Sequence, residues 1–318
     1  MRNSFTQGIH NLGDGAWAYL QPDGSWGWNN AGLITDGEQS LLVDTLFDER
    51  LTADMLRTMH SSVGVRGDAI DMLVNTHANG DHTFGNRLVE GARIIASKAC
   101  AEEMSDMPPE LLADLMRQAP DLGLLGEYLE HCFSEFDFAG VTLRAPDETF
   151  SGEHTLSVGD KKVHLIEVGP AHTAGDVLVH VPDNRLVYTG DILFIEGTPI
   201  MWQGPVRNWI RACDLIIDMD VDLIVPGHGP MTDKAGVRRV REYLGYIDTE
   251  ARRRFDAGMA ADEAAKDIAL GSFASWSDAE RIAVNVDTLY REYRNDPTPP
   301  DVMRLFTLMA DVWHAQQR

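Results

Sequence analysis

The sequence Thr-His-Ala-Asn-Gly-Asp-His at residues 76–82 is the feature that most constrains this chain. It follows an apolar run at residues 70–74, which is typical of a buried strand, and precedes residues 83–88, which can start a helix. Two histidines and an aspartate therefore lie on a tight turn at a strand end. Imidazole and carboxylate groups are ligands that divalent metals take from such a loop. The stretch alone also fits a polar loop that happens to contain two histidines.

Three later turns share this character, since each places a histidine or an aspartate in a glycine-containing turn directly after an apolar strand. They are residues 168–176 with His172, residues 188–191 with Asp191, and residues 225–230 with His228. Strand ends at one edge of a sheet converge in space, so these side chains can meet around one ion. Four such turns in this order predict a metal site.

The remaining pattern predicts a mixed α/β chain. An antiparallel meander and one helix come first, further strands and a helix follow, and the order indicates two half-sheets packed together. Helical periodicity also covers residues 98 to about 136, and it covers almost everything from about residue 233 to the end. The predicted strands are residues 16–20, 31–34, 40–44, 70–74, 92–96, 141–143, 155–158, 162–166, 177–181, 185–189 and 222–225, with helices at 48–62 and 206–219.

Composition excludes some functions. The chain has 318 residues, which suffice for one large domain or for a catalytic domain plus a smaller one, and its formal net charge is -23. Such an acidic surface repels phosphate backbones and anionic membranes, so we expect neither nucleic acid nor a membrane as partner. The three cysteines match no zinc or redox motif and are expected to be buried thiols. With no signal-peptide pattern at the N-terminus, a cytoplasmic location is the expectation.

The series 76–82, His172, Asp191 and His228, together with the opening strands up to Val43-Asp44-Thr45, resembles the metallo-β-lactamase superfamily over about residues 14–232. The resemblance implies an αβ/βα four-layer sandwich with two metal positions at one edge of the paired sheets. It implies a catalytic domain at residues 1–232, with a helical insertion at about 98–136, and a helical C-terminal extension at 233–318. The implied ligands are His77, residue 79 and His172 for the first metal, Asp81, His82 and His228 for the second, and Asp191 as the bridge.

Asn79 departs from the family loop, which has a histidine at this place. An amide oxygen is a weaker zinc ligand than imidazole, so the first position is weakened. Two zinc ions are expected, with Asn79 ligating weakly or leaving room for a water. One ion at Asp81, His82 and His228 is the alternative, and iron or manganese can replace zinc. A metal-free descendant is the third interpretation.

The resemblance and the ligands point to hydrolysis. Bound zinc lowers the pKa of water to roughly 7, giving a hydroxide that can attack a carbonyl. Asp81 is placed to orient this hydroxide and to move its proton. The expected substrate is a small ester, lactone, thioester or amide. Alternatives are a di-iron redox enzyme on the same fold and a metal-binding protein without turnover, while the acidic charge opposes a nuclease.

Two further groups of residues have open interpretations. Aromatic and apolar residues in a glycine-rich turn between the first strands and in the stretch after Asp191 either form the wall of a substrate pocket or pack in the core. The C-terminal helices either cap the substrate or form a homodimer, and Arg252-Arg253-Arg254 either bind an anionic tail or form a solvated helix face. The candidate pocket residues are Trp26, Trp28, Phe194, Met201 and Trp202.

Overall fold

The computed structural model of the chain describes residues 5–317, which contain two β-sheets. The first sheet follows chain order, is antiparallel over its first four strands and parallel over the rest. Its strands are β1 (Gly8–Gly13), β2 (Ala16–Leu20), β3 (Ala31–Asp36), β4 (Gln39–Val43), β5 (Met72–Val74), β6 (Arg93–Ser97) and β7 (Glu148–Phe150).

The second sheet has five strands, antiparallel except for its last pair, which is parallel. Its strands are β8 (Glu153–Val158), β9 (Lys161–Glu167), β10 (Val177–Val181), β11 (Leu186–Tyr188) and β12 (Leu223–Val225). The α-helices are α1 (Glu49–Val63), α2 (Gly80–Thr83), α3 (Lys98–Glu103), α4 (Pro109–Gln118), α5 (Leu124–Phe133), α6 (Val206–Asp218), α7 (Lys234–Asp256), α8 (Ala261–Asp267), α9 (Ile282–Arg294) and α10 (Val302–Gln316).

Alternation along the strands separates two apolar layers. In β4, Leu41 and Val43 belong to the cluster between the sheets, whereas Leu42 joins the cluster that includes the helices. In β10, Val179 faces the other sheet and Leu178 joins the helical side. The resulting order of helix, sheet, sheet and helix confirms the predicted αβ/βα sandwich.

Local sequence explains how α1 is placed against the first sheet. The Asp48 carboxylate accepts a hydrogen bond from the Leu51 N–H at 2.6 Å, which caps the helix start, and Gly64 ends the helix with φ of 87°. The buried Leu51 and Met55 pack in the same core cluster as Leu42.

The C-terminal helices share the core of the sheets. Tyr243 of α7, Leu289 of α9 and Leu305 of α10 lie in one apolar cluster with Leu33 and Ile94 of the first sheet. The segment after residue 233 therefore shares one apolar core with the sheets.

The strand predicted at residues 141–143 is wrong, because this segment has no strand pairing. Arg144 fixes it instead, donating hydrogen bonds to the carbonyls of Val89 and Ala92 at 2.7 Å each. Two observed strands were not predicted: β1, an edge strand with few apolar residues, and β7, which has only three residues.

Candidate metal centre

The four ligand turns meet at one end of the sandwich. His77 and His82 follow β5, His172 lies between β9 and β10, and His228 follows β12. The ring centroid of His77 lies 4.2 Å from that of His82 and 4.9 Å from that of His172, and His82 and His228 are 5.7 Å apart. The structure thus brings together histidines that are up to 151 residues apart in the sequence, as expected from the strand ends.

Asp191 lies at the centre of this group, in the turn after β11. Its carboxylate oxygens face the Nε2 atoms of all four histidines. The distances are 3.1 Å to His82, 3.4 Å to His172, 3.5 Å to His228 and 3.7 Å to His77. Gly227 permits this approach, because a Cβ atom at that position would overlap the Asp191 carboxylate.

Asp81 adds a second carboxylate on one side of the group. Its Oδ2 lies 3.2 Å from Nε2 of His228 and 3.8 Å from Nε2 of His82. Two sets of ligand atoms therefore lie close enough to hold an ion. They are His77, His82 and Asp191, and Asp81, His82 and His228, each with its atoms within 4.8 Å of one another.

Each histidine is oriented by a contact on its other ring nitrogen. Such contacts fix the ring and direct Nε2 toward the centre. The Nδ1 partners are Thr76 Oγ1 at 3.0 Å for His77, Asp44 Oδ2 at 2.8 Å for His82, the Ile200 carbonyl at 2.7 Å for His172 and the Gly24 carbonyl at 3.1 Å for His228.

Several buried atoms facing the centre make no hydrogen bond: Nε2 of His77, Nε2 of His82 and Oδ1 of Asp191, although the last two lie 3.1 Å apart. An unpartnered buried polar atom is costly, and each such group in a native structure needs an explanation. Imidazole nitrogens and carboxylate oxygens aimed at one point are the donor set that a divalent transition metal takes. The residues therefore fit a metal ion.

The charges of the centre support the same fit. Burial opposes ionisation of Asp191, but His228 and His82 outweigh it and hold its pKa well below the ordinary value. The pKa of Asp81 is lowered in the same way against burial, chiefly by His82 and His228. Burial lowers the pKa of these two histidines, yet Asp191 outweighs it and raises that of His228 to about 9 and that of His82 well above its usual range. The carboxylates thus require positive charge, which a divalent cation supplies.

Burial favours the neutral form of the other two histidines. Burial lowers the pKa of His172, and it lowers the pKa of His77 further, well below the ordinary value. A neutral imidazole keeps a lone pair on one nitrogen, which is the form that binds a metal.

Asn79 faces the centre at the start of α2. Its Oδ1 lies 2.7 Å from Nε2 of His172, and its side chain makes no capping bond to the helix. The residue that departs from the family loop therefore contacts a candidate ligand directly.

An apolar cavity of about 370 Å³ opens onto the centre. Its wall includes Asn79, Asp81, His172, Asp191 and His228. Of the candidate pocket residues, Trp26, Phe194 and Trp202 line it.

Two candidate pocket residues, Trp28 and Met201, lie outside the cavity lining. The Trp28 ring packs against Phe136 with centroids 4.9 Å apart, and Met201 is fully buried. The main chain of Met201 is fixed by hydrogen bonds with Asn285 at 2.8 Å and Thr288 at 2.7 Å, which explains why its side chain stays in the core.

The family model of the metallo-beta-lactamase superfamily matches residues 25–228. The chain belongs to this superfamily. The resemblance drawn from the ligand turns is therefore confirmed. Superfamily members are mostly hydrolases, which supports an enzyme with a metal-binding cluster of histidine and aspartate residues.

Two relatives illustrate the match in sequence. The beta-lactamase-like protein 2 homolog of Caenorhabditis elegans is 24% identical over 215 residues, which are 68% of this chain and 60% of that protein. Hydroxyacylglutathione hydrolase of Brucella anthropi is 23% identical over 249 residues, 76% of this chain and 72% of that protein. The chain thus spans 60% of the length of the first relative.

Two solved structures show the shared superfamily fold. The sec-alkylsulfatase Pisa1 from Pseudomonas sp. superposes with a TM-score of 0.70 at 15% identity, covering 93% of this chain and 52% of that one. A metallo-beta-lactamase from Pontibacter korlensis gives a TM-score of 0.55 at 16% identity, covering 76% of this chain and 99% of that one. The alkylsulfatase match covers a larger share of this chain than residues 1–232 make up, so it includes part of the C-terminal helical segment.

Some residues at the site were not predicted from the sequence. Asp44, which holds His82, ends an apolar strand as the ligands do, so the same signal could have identified it. Arg281 and Phe306 line the cavity from the C-terminal segment, where helical periodicity does not distinguish a cavity wall from core.

The arginine run lies outside the cavity lining. Arg254 is buried and pairs with Glu250 at 2.7 Å and Asp267 at 2.8 Å, while Arg252 lies over the Tyr293 ring at 3.4 Å. These residues support the helical segment. Over residues 5–317, no helix combines the length and apolar character needed to cross a membrane.

Proposed function

We propose that this superfamily member is a metal-dependent hydrolase that cleaves an ester, lactone, thioester or amide carbonyl of a small molecule. The observation that carries the proposal is the convergence of four imidazole Nε2 atoms on Asp191 at the wall of an apolar cavity. A small molecule in this cavity would lie against Asp81, His172, Asp191 and His228.

The proposed ligands divide into two sets that share Asp191. Two zinc ions are proposed, with one ion at the second set as the alternative and with iron or manganese as substitutes. When bound, zinc supplies Lewis-acid polarisation of a carbonyl oxygen and lowers the pKa of water to roughly 7. The first set is His77, Asn79 and His172, and the second set is Asp81, His82 and His228.

Asp81 is proposed as the catalytic carboxylate. Its side chain is 14% exposed, against 4% for Asp191, and it lines the cavity. Since its pKa is lowered by His82 and His228 against the effect of burial, it is ionised at neutral pH. An ionised carboxylate at this place can orient a water molecule and accept its proton.

The proposal includes a cytoplasmic location and a small-molecule substrate. Cys100, Cys132 and Cys213 are buried and free, as expected, which suits a reducing compartment. The net charge of -23 opposes nucleic acid and anionic membranes as partners.

A substrate panel tests this function. Purified protein with its metal content measured is assayed on para-nitrophenyl esters, lactones, thioesters and amides, before and after removal of metal with a chelator. We expect hydrolysis of at least one class, loss of turnover after chelation and recovery on addition of zinc. The Asp81→Asn variant should lose turnover, and Asp183→Asn on the surface is the matched control.

Two results would favour the alternative functions over the proposed hydrolase. Stoichiometric iron with a visible absorbance band and no hydrolysis would favour the redox enzyme. Full metal occupancy without turnover on the whole panel would favour a binding protein.

A further inference from the structure

We infer that the substrate carries an uncharged, apolar chain, and that this chain lies between α4 and α5 on one side and residues 299–306 on the other. The inference rests on the proposed hydrolytic function, because it names the substrate class that the same cavity takes.

Most of the cavity wall away from the metal centre is apolar. The insertion helices contribute Leu112, Leu129 and Phe133, and the C-terminal segment contributes Val302, Met303 and Phe306. The volume of about 370 Å³ lies at the small end of the range of roughly 300–1,000 Å³ for small-molecule sites. Apolar walls of this extent favour burial of a hydrocarbon group.

Phe306 contacts residues from three parts of the cavity wall. Its ring centroid lies 5.7 Å from Trp26, 6.1 Å from Phe133 and 6.3 Å from Trp202. These three residues come from the loop between β2 and β3, the insertion and the loop after β11, so one residue of α10 links three separate parts of the wall. The C-terminal helix therefore belongs to the substrate site, and the cavity is incomplete without it.

Positive charge from the protein is scarce in the cavity lining apart from its histidines. Among the lining residues within 5–317, Arg281 is the sole lysine or arginine, and it is buried. It pairs with Asp278 at 3.3 Å and donates to the Thr198 carbonyl at 3.1 Å. Its guanidinium also lies 4.4 Å from the Trp26 ring centroid. These contacts engage its two terminal nitrogens and one face of the guanidinium, whereas its Nε–H is buried without a hydrogen-bond partner.

Acidic side chains line the cavity as well. Glu103 and Asp106 are part of the wall, in addition to Asp81 and Asp191. Glu103 is fixed there by hydrogen bonds from the Ala174 N–H at 2.9 Å and from Gln203 at 3.0 Å. An anionic group on the far end of the substrate would meet like charge without a cation to pair it. Acyl groups on anionic thiol carriers are therefore a poor fit, and neutral esters or lactones are favoured.

A chain-length series tests this inference. The rate constant kcat/KM is measured on para-nitrophenyl acetate, butanoate, hexanoate and octanoate, and on the para-nitrophenyl monoester of octanedioic acid. We expect kcat/KM to rise about fourfold per methylene group until the cavity is filled, which is the gain that burial of one methylene implies. The anionic monoester should react at least about tenfold more slowly than the octanoate, because its carboxylate is left unpaired in an apolar site.

Two matched variants locate the chain. Met303 lines the cavity and is 39% exposed, whereas Leu215 of α6 is 38% exposed and lies outside the lining. Met303→Trp should lower kcat/KM for the octanoate roughly tenfold, as if about two methylene groups lost their burial. Leu215→Trp should change it by no more than about twofold, as expected for a surface substitution.

Binding to the metal-free protein separates this inference from the proposed function. We expect calorimetry to show 1-octanol binding, weaker octanoate binding, and loss of octanol affinity in Met303→Trp. Hydrolysis that is independent of chain length, or that prefers the anionic monoester, would overturn the inference and leave the proposed function standing. Selective octanol binding, together with no hydrolysis of any panel member, would overturn the proposed function and leave the inference about the apolar chain standing.

Discussion

Asp44→Asn tests whether His82 is oriented for metal binding. The Asp44 carboxylate accepts hydrogen bonds from the Thr76 N–H at 2.7 Å and from the Thr76 hydroxyl at 2.7 Å, and it lies 2.8 Å from Nδ1 of His82. It therefore holds the proton of the imidazole on Nδ1 and leaves the lone pair on Nε2 for the centre. Asp44 also adopts a left-handed conformation with φ of 62°, which is uncommon for a residue other than glycine.

Asparagine has one acceptor oxygen where aspartate has two. If this oxygen keeps the Thr76 N–H, the amide N–H faces Nδ1 of His82 and favours the tautomer with its proton on Nε2. That tautomer cannot ligate through Nε2. Because His82 belongs to the proposed second set with Asp81 and His228, that metal position is weakened. We expect metal affinity to fall about 10- to 100-fold, the usual effect of losing such a partner, or about 1.4–2.7 kcal/mol.

Competition with a chromophoric chelator measures this affinity, and urea unfolding of the metal-free protein reports the fold. Asp183→Asn, at an exposed carboxylate, is the control and should leave affinity unchanged. An Asp44→Asn variant that binds metal as tightly as the wild type would refute the role assigned to Asp44. An equal loss in the control would refute it as well.

Three further predictions concern the metal and the core. Asn79→His should raise metal occupancy if the wild type holds fewer than two ions, and two ions per chain in the wild type would exclude the single-ion interpretation. Zinc at a hundred times its dissociation constant should stabilise the folded chain by about 2.7 kcal/mol, seen as a higher Tm than that of the chelated protein; equal Tm values would count against a built site. Arg281→Met leaves the carboxylate of Asp278 without its cation and should lower the free energy of unfolding by about 3–5 kcal/mol in urea. Arg207→Met, at an exposed arginine, should change it by less than about 0.5 kcal/mol, and equal effects of the two would contradict the buried pair.

The sequence predicted the convergence of the ligand turns because its signal is local. Each of His77, His172, Asp191 and His228 follows an apolar run, and parallel or adjacent strand ends meet at one edge of the sandwich. The apolar runs of β4 and β10 place side chains in both apolar layers, as expected for strands with two buried faces.

Features that depend on tertiary contact were harder to predict. The segment at residues 141–143 has strand-like residues, yet Arg144 fixes it by hydrogen bonds to another loop. Trp28 lies in a turn between the first strands and Met201 follows Asp191 closely in sequence, but neither lines the cavity. Trp28 packs against Phe136, and the main chain of Met201 is held by Asn285. The contribution of Phe306 arises only when α10 folds back onto the insertion helices.

Metal content of the wild type and of Asp191→Ala tests the central claim most directly. Both proteins are purified without chelator and measured by elemental analysis, with the same samples assayed for hydrolysis. Asp191 lies within 3.7 Å of four imidazole nitrogens, so its loss removes the one carboxylate common to both proposed positions. We predict at least one divalent ion per chain in the wild type, with most of the metal and all turnover lost in the variant. Unchanged metal content in Asp191→Ala, or hydrolysis by a metal-free wild type, would contradict the account.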